Sequence, residues 1–369
     1  MNVAFYISGH GFGHASRQIE ILNRLRTPLA DGSAIVVRTS AARWLFDRTL
    51  DAPVTFLAGD CDSGIVQIDS LRLDEAATVR AARDFYARFR ERVDAEVAIL
   101  RAHDVALVIA DAPPLACAAA AAADVPSIVI SNFTWDWIYE GYEGRFQRDA
   151  PDVLPIIRDA YAKAFEGWRL PMHGGFATFR SVVDLPFVAR HAGRSRSHVL
   201  AALGLPRSRP LVLSSFGGYG ADIDLHTLDC RDAWTVVITG HHPPVLPEGV
   251  AFVDESRLYD RGLRYEDLVA AVDVVTTKPG YGIISECVAN DTAMLYTSRG
   301  RFPEYDVMVR EMPRVLRCRY IDHPSLVAGR WRAPLEALQE TPTPPERPAT
   351  DGAELAARRI TAQPGRFDQ

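Results

Sequence analysis

The chain has 369 residues, 48% hydrophobic and 24% charged, with 41 Lys and Arg against 47 Asp and Glu for a formal net charge of −6. That composition excludes a disordered, collagenous or coiled-coil chain, and the length suits two domains with well-buried cores. The acidic balance argues against a nucleic-acid partner, which selects for a basic field.

In chain order, Val3–Ile7 is a short apolar run rich in β-formers, followed by a glycine-rich turn and an amphipathic helix over Ala15–Leu25. Ala34–Arg38 predicts a strand, and Asp74–Arg101 one long helix with Val79, Phe85, Phe89, Val93, Val97 and Leu100 on one face. Val105–Ala110 predicts a buried strand ending in Asp111, Ala116–Ala123 a helix of small residues, and Ser127–Ile130 another strand. From Gly141 to Val183 helices are expected, and Pro186–Arg196 is a connector. The pattern then restarts. A helix over Ser197–Leu203 precedes strands at Pro210–Ser214, Trp234–Thr239, Val272–Thr276 and Met294–Thr297, with helices at Tyr265–Ala271 and Ile283–Ala289 between them. Thr341–Pro348 is a Pro/Thr linker, and Gly352–Ile360 is a last helix. Such alternation predicts an α/β chain with two doubly wound, Rossmann-like domains. Residues 1–190 and 191–340 are their expected spans, 341–350 a linker and 351–369 a C-terminal helix. Ligands of such sheets sit beyond the carboxyl ends of the strands, so the cleft between the domains is the expected site.

Five stretches carry chemistry. Ser8–His14 places His10 and His14 among Gly9, Gly11 and Gly13 at a helix N-terminus. It fits neither G-x-G-x-x-G nor a Walker loop, and two imidazoles are poor choices for mere turning, so one is a candidate general base. Asp111, at a strand end, is the other candidate, with an ordinary helix cap as the plainer reading. Asn132, Trp135 and Asp136 lie in a run of two Trp, one Tyr, one Asn and one Asp that suits a sugar or acceptor pocket, or else an aromatic core stripe. Ser215, Gly217 and Gly218 form a second strand-to-glycine loop. In the fifth stretch, Lys278, Gly280, Tyr281 and Gly282 open a helix that carries Ser285 and Glu286. Free N–H groups there suit a diphosphate and Glu286 suits ribose hydroxyls. Lys278 is one of only two lysines, with Lys163.

This fifth stretch resembles the donor-nucleotide motif of GT-B glycosyltransferases, including the bacterial enzyme that adds N-acetylglucosamine to the lipid-linked peptidoglycan precursor. Gly280, Ser285 and Glu286 fit its Gly-x-x-x-x-Ser-Glu run, Ser215, Gly217 and Gly218 its phosphate loop, and Gly11, Gly13 and His14 its N-terminal loop. The strings G-H-G-F-G-H-A-S-R, S-N-F-T-W-D-W-I-Y, S-F-G-G-Y-G and K-P-G-Y-G-I-I-S-E look like those of the glycosyltransferase-like N-terminal half of plant L-arabinokinase and its stand-alone bacterial relatives. No G-L-S-S-S-type kinase loop occurs, so sugar kinase activity is not implied. Where bacterial transferases offer an acid-Gln pair to the donor sugar, this chain has Arg301–Asp306, with Glu304 in part of that role.

The resemblance implies a two-domain GT-B fold and transfer from a nucleoside diphosphate sugar, UDP-linked by expectation. The acceptor is a small molecule, a glycan or a lipid-linked species. The final helix is implied to return to the N-terminal domain. His14 or Asp111 is the base, and His10 is an acceptor contact. No metal or resident cofactor is expected, because helix N-termini meet the leaving diphosphate. Two alternatives share this architecture, a non-catalytic nucleotide-sugar sensor and a nucleotide-sugar epimerase. Cys61, Cys117, Cys230, Cys287 and Cys318 form no C-x-x-C pair, and the N-terminal stretch lacks a signal peptide's charged region. A cytoplasmic protein without a transmembrane segment is therefore expected. For a lipid acceptor, peripheral membrane contact through an apolar patch at Trp135–Phe146 would follow.

Overall fold

Val3, Phe5 and Ile7 point to one side of the first strand and Ala4 and Tyr6 to the other, and all five are buried. A strand covered on both faces belongs inside a parallel sheet. The computed structural model describes residues 1–25, 32–69, 71–216, 223–240, 242–243 and 245–362. Among these, the strands form two wholly parallel sheets. The first runs in the order β3-β2-β1-β4-β5-β6-β7, from β1 (Asn2–Ile7), β2 (Ile35–Thr39), β3 (Thr55–Ala58), β4 (Val105–Asp111), β5 (Ser127–Phe133), β6 (Glu166–Gly174) and β7 (Val182–Asp184). The second runs β10-β9-β8-β11-β12-β13, from β8 (Leu211–Ser215), β9 (Thr235–Ile238), β10 (Val250–Phe252), β11 (Val274–Thr277), β12 (Ala293–Tyr296) and β13 (Cys318–Tyr320). Each sheet has an apolar cluster on either face. The result is two Rossmann-like domains.

Two predicted elements differ. The long helix over Asp74–Arg101 is two helices, Glu75–Ala87 and Phe89–Ala102, broken at Arg88, whose ψ of 24° turns the axis. The first buries Val79, Ala82, Phe85 and Tyr86, whereas the second buries only Glu96 and Leu100. The region expected to be helical up to Val183 contains β6 and β7. Its strand signal is masked by Gly167, Pro171 and Gly174, and two of these are sterically required. A Cβ on Gly167 would lie 2.9 Å from the Phe179 ring, and one on Gly174 would lie 2.3 Å from Trp137.

The helix Gly352–Thr361 lies on the first domain, not the second. Ala353, Ala356, Ala357 and Ile360 join Ile19, Leu22 and Leu25 of the helix Phe12–Leu25 in one apolar cluster. Its approach is tied to the other crossover between domains. Phe187 N donates to Ala349 O at 3.2 Å and Gly352 N to Phe187 O at 3.0 Å. A Cβ at Gly352 would meet Pro186 O at 2.4 Å and Phe187 O at 2.8 Å, both backbone atoms. Gly352→Ala is therefore expected to lower the unfolding free energy by about 1–3 kcal/mol in urea titration. A neutral result would mean that the two crossovers move apart freely.

The domains meet closely. Gly13 and Gly282 face each other, and a Cβ at Gly282 would sit 3.6 Å from Gly13 Cα. Among the described residues no helix is long and apolar enough to cross a membrane.

Candidate functional site

In sheet one, β1 lies between β2 and β4, and in sheet two β8 lies between β9 and β11, so each chain path reverses direction at these strands. Such reversal leaves a crevice beyond the strand ends. Ile7 pairs with Asp111, which brings the β1 loop carrying His10 and His14 beside the β4 carboxylate. Ser215 pairs with Thr277, which brings the β8 loop beside Lys278 and Gly280.

Asp111 has no exposed surface and is saturated with donors. His14 Nδ1 lies 2.8 Å from Oδ1. Arg17 donates Nε to Oδ2 at 2.9 Å and Nη2 to Oδ1 at 2.5 Å, and Gln18 Nε2 donates to Oδ2 at 2.9 Å. Burial alone would push this carboxyl up, but the neighbouring Arg17 and His14 outweigh it and hold Asp111 at about 2. An ionised carboxylate only accepts. His14 Nδ1 must therefore carry the proton, which leaves the lone pair on Nε2. The 3.2 Å approach of Arg17 Nη2 to His14 Nδ1 is then a contact, not a hydrogen bond. Arg17 also donates to Asn132 Oδ1, and Asn132 Nδ2 donates to Pro171 O at 2.6 Å. His14, Asp111 and Asn132 are thus one buried network, and Arg17, at helical spacing from His14, is the member that sequence reading missed.

On the other side of the crevice, Ser215 Oγ bonds the Tyr265 hydroxyl. Gly217 and Gly218 lie outside the described residues. Gly280 precedes the helix Tyr281–Ala289, and among the described residues no side chain caps it. Ser285 Oγ donates to Gly282 O at 2.8 Å. Glu286 is buried and accepts from Arg190 Nε at 2.8 Å; Arg190 also lies 3.3 Å from Glu266. Gly13, Arg17, Asn132, Arg190, Gly282 and Glu286 line one crevice between the domains. Lys278 is half-buried, and burial together with Arg299 draws it down to about 7, with Asp69 opposing. Glu304 is buried against Arg299 at 3.2 Å. Among the described residues Glu304 Oε2, Arg299 Nε and the Tyr281 hydroxyl have no hydrogen-bond partner, which is costly for buried polar atoms and suits a hydroxyl-rich ligand.

The aromatic run differs from its expected place. Trp135 is 0% exposed, and Tyr139 and Phe146 are equally buried, so they offer no stacking face and no membrane patch. Trp135 instead donates its indole N–H to Asp62 at 2.9 Å. Asp136 is buried, 3.7 Å from Arg158 and away from the His14 network. Gly11 and Gly13 are exposed at the cleft, while His10 is half-buried beside Trp135, with ring centroids 6.0 Å apart. Burial first, then His14, Arg299 and Lys278, pull His10 down to about 3, so it is neutral.

No family model matches the chain. It is 28% identical over 360 residues to L-arabinokinase of Arabidopsis thaliana, covering 96% of this chain and 33% of that protein. The chain thus spans about a third of the length of that relative. Among solved structures, it is similar to CalG4, the calicheamicin glycosyltransferase, with a TM-score of 0.61 and 14% identity over 99% of this chain and 94% of that one. The glycosyltransferase VinC in complex with dTDP gives 0.56 and 18% over 100% and 95%. Arabidopsis thaliana UGT89C1 complexed with UDP gives 0.57 and 13% over 98% and 94%. Two parallel Rossmann-like sheets facing one crevice, matched end to end by these structures, give the chain the GT-B glycosyltransferase fold.

Proposed function

We propose that this chain is a glycosyltransferase that moves a sugar from a nucleoside diphosphate sugar to an acceptor hydroxyl. The observation that carries the reading is the buried His14–Asp111 pair, joined through Arg17 and Asn132 to the crevice that Glu286 also lines. His14 Nε2 takes the acceptor's proton, the acceptor oxygen bonds to the anomeric carbon, and the bond from that carbon to the phosphate oxygen breaks. Asp111 keeps the imidazole in the right tautomer and steadies the imidazolium that forms. The leaving diphosphate gains charge, which Lys278 and the uncapped N–H groups after Gly280 meet. Ser215 belongs to the same anion-binding side. Glu286 takes ribose hydroxyls in exchange for, or beside, Arg190. Glu304, Arg299 and Tyr281 take hydroxyls of the donor sugar. Residues 1–190 form the acceptor domain and 191–340 the donor domain. Kinship to the glycosyltransferase-like part of L-arabinokinase is supported by the 28% identity. Five free cysteines suit a reducing cytoplasm.

A thermal-shift series with UDP, GDP, dTDP and CMP tests the reading. The preferred nucleotide at about 100 times its Kd adds roughly 2.7 kcal/mol to the folded state, a rise of several degrees. Glu286→Ala is expected to weaken that nucleotide about 10- to 100-fold, since hydrogen bonds to a charged group are lost. Unchanged affinity would remove Glu286 from the ribose site.

A further inference from the structure

One ionisable group held against the β1 loop has no part in the steps above. Asp62 sits in the turn after β3, two strands from β1, and is half-buried. Ser8 Oγ donates to its Oδ1 at 3.2 Å, and Trp135 Nε1 donates to its Oδ2 at 2.9 Å. Among the described residues no Lys or Arg forms an ion pair with it. The turn is braced from below, because Tyr139 OH lies 2.8 Å from Ser63 Oγ and donates to Gly64 O at 2.9 Å. His10 stands beside it. Ile65 N donates to His10 Nδ1 at 3.4 Å, and the Gln67 amide lies 3.5 Å from His10 Nε2. The turn therefore holds together a carboxylate with spare acceptor capacity, a neutral imidazole and an amide.

A carboxylate held by two neutral donors is a poor structural choice. Asparagine would accept from the same indole without the desolvation cost. Burial, partly offset by Ser8, Trp135 and His14 and reinforced by Asp111, pushes the Asp62 carboxyl up to about 6. The buried aromatics beneath this turn offer no face to a flat ring. We propose that Asp62, His10 and Gln67 form the hydroxyl-binding subsite for the acceptor, which is therefore a saccharide or cyclitol with vicinal hydroxyls and not a flat apolar aglycone. The proposal rests on the transferase reading. Asp62 accepts from one hydroxyl, and His10 and Gln67 position its neighbour. This places the reacting hydroxyl on the domain that carries His14.

The test uses the full chain with its preferred donor and reads release of nucleoside diphosphate. The acceptors are a panel of free monosaccharides and cyclitols and a panel of planar phenols. Saccharides or cyclitols are expected to stimulate release and phenols not. Asp62→Asn is expected to raise the KM of the best acceptor about 10- to 100-fold. At pH 8 its melting temperature should exceed that of the native chain, a gain that a merely structural carboxylate would not give. Gln67→Ala should raise the same KM severalfold. Phenols serving as well as saccharides, no stimulation by any saccharide or cyclitol, or an unchanged KM in Asp62→Asn would overturn the proposal while leaving donor turnover intact. Failure to bind or turn over any nucleoside diphosphate sugar would instead remove the transferase reading, and this proposal with it.

Discussion

Asp111→Ala is expected to lower the unfolding free energy by about 3–5 kcal/mol, because it leaves a buried guanidinium without its counter-charge. Arg17 is buried, and its fork spans both carboxylate oxygens. Its remaining partner, the Asn132 amide oxygen, is neutral. Gln18 and His14 lose an acceptor in the same step. Urea titration at pH 7 measures the loss, and a change under about 1 kcal/mol would mean that water reaches Arg17. The pH dependence has a definite sign. A carboxyl held at about 2 in the folded chain, below its ordinary 3.8, stabilises the fold above about pH 4. That stabilisation is lost as pH falls through about 2, so the gap between native chain and variant narrows only in acid.

The second large effect is on turnover. His14→Ala is expected to slow transfer about 10²- to 10⁴-fold, the usual contribution of a positioned general base. Donor affinity should stay within about twofold, because the residues proposed to hold the donor lie on the other domain. Single-turnover transfer and nucleotide titration separate the two quantities. Full activity would remove His14 as the base. Equal losses in nucleotide affinity and rate would mean that the Gly13–Gly282 approach, not the imidazole, had been disturbed.

Much of this arrangement was legible in the residues. His14 and Asp111 each follow a buried apolar strand, and parallel pairing of neighbouring strands brings such ends together. The two-domain plan followed from the restart of strand and helix alternation after Gly204. Three things were hidden. β6 is disguised by glycines that make room for Phe179 and Trp137, a demand set by distant rings and not by local preference. Trp135 has the composition of a sugar platform, yet its neighbours Phe133 and Tyr139 pack around it at 5.1 and 5.5 Å and turn it inward. Asp62 lies in a short acidic turn, Asp60–Asp62, that looks like solvated surface. The hydroxyl of Ser8 and the indole of a residue 73 positions away mark it out. The divided roles of the first pair also needed geometry: saturation of Asp111 by Arg17, Gln18 and His14 makes it the orienting member and leaves His14 to move the proton.

The placement of the Gly352–Thr361 helix has a consequence for how the molecule is made. Ile19 and Leu22 emerge from the ribosome early, but the alanines and the isoleucine that cover them are translated only after the whole second sheet. The leading lobe therefore waits with an oily flank uncovered for as long as its neighbour takes to be synthesised, and a nascent chain in that interval presents a surface on which holdase chaperones act. The first domain is thus completed by residues that lie beyond the whole of the second.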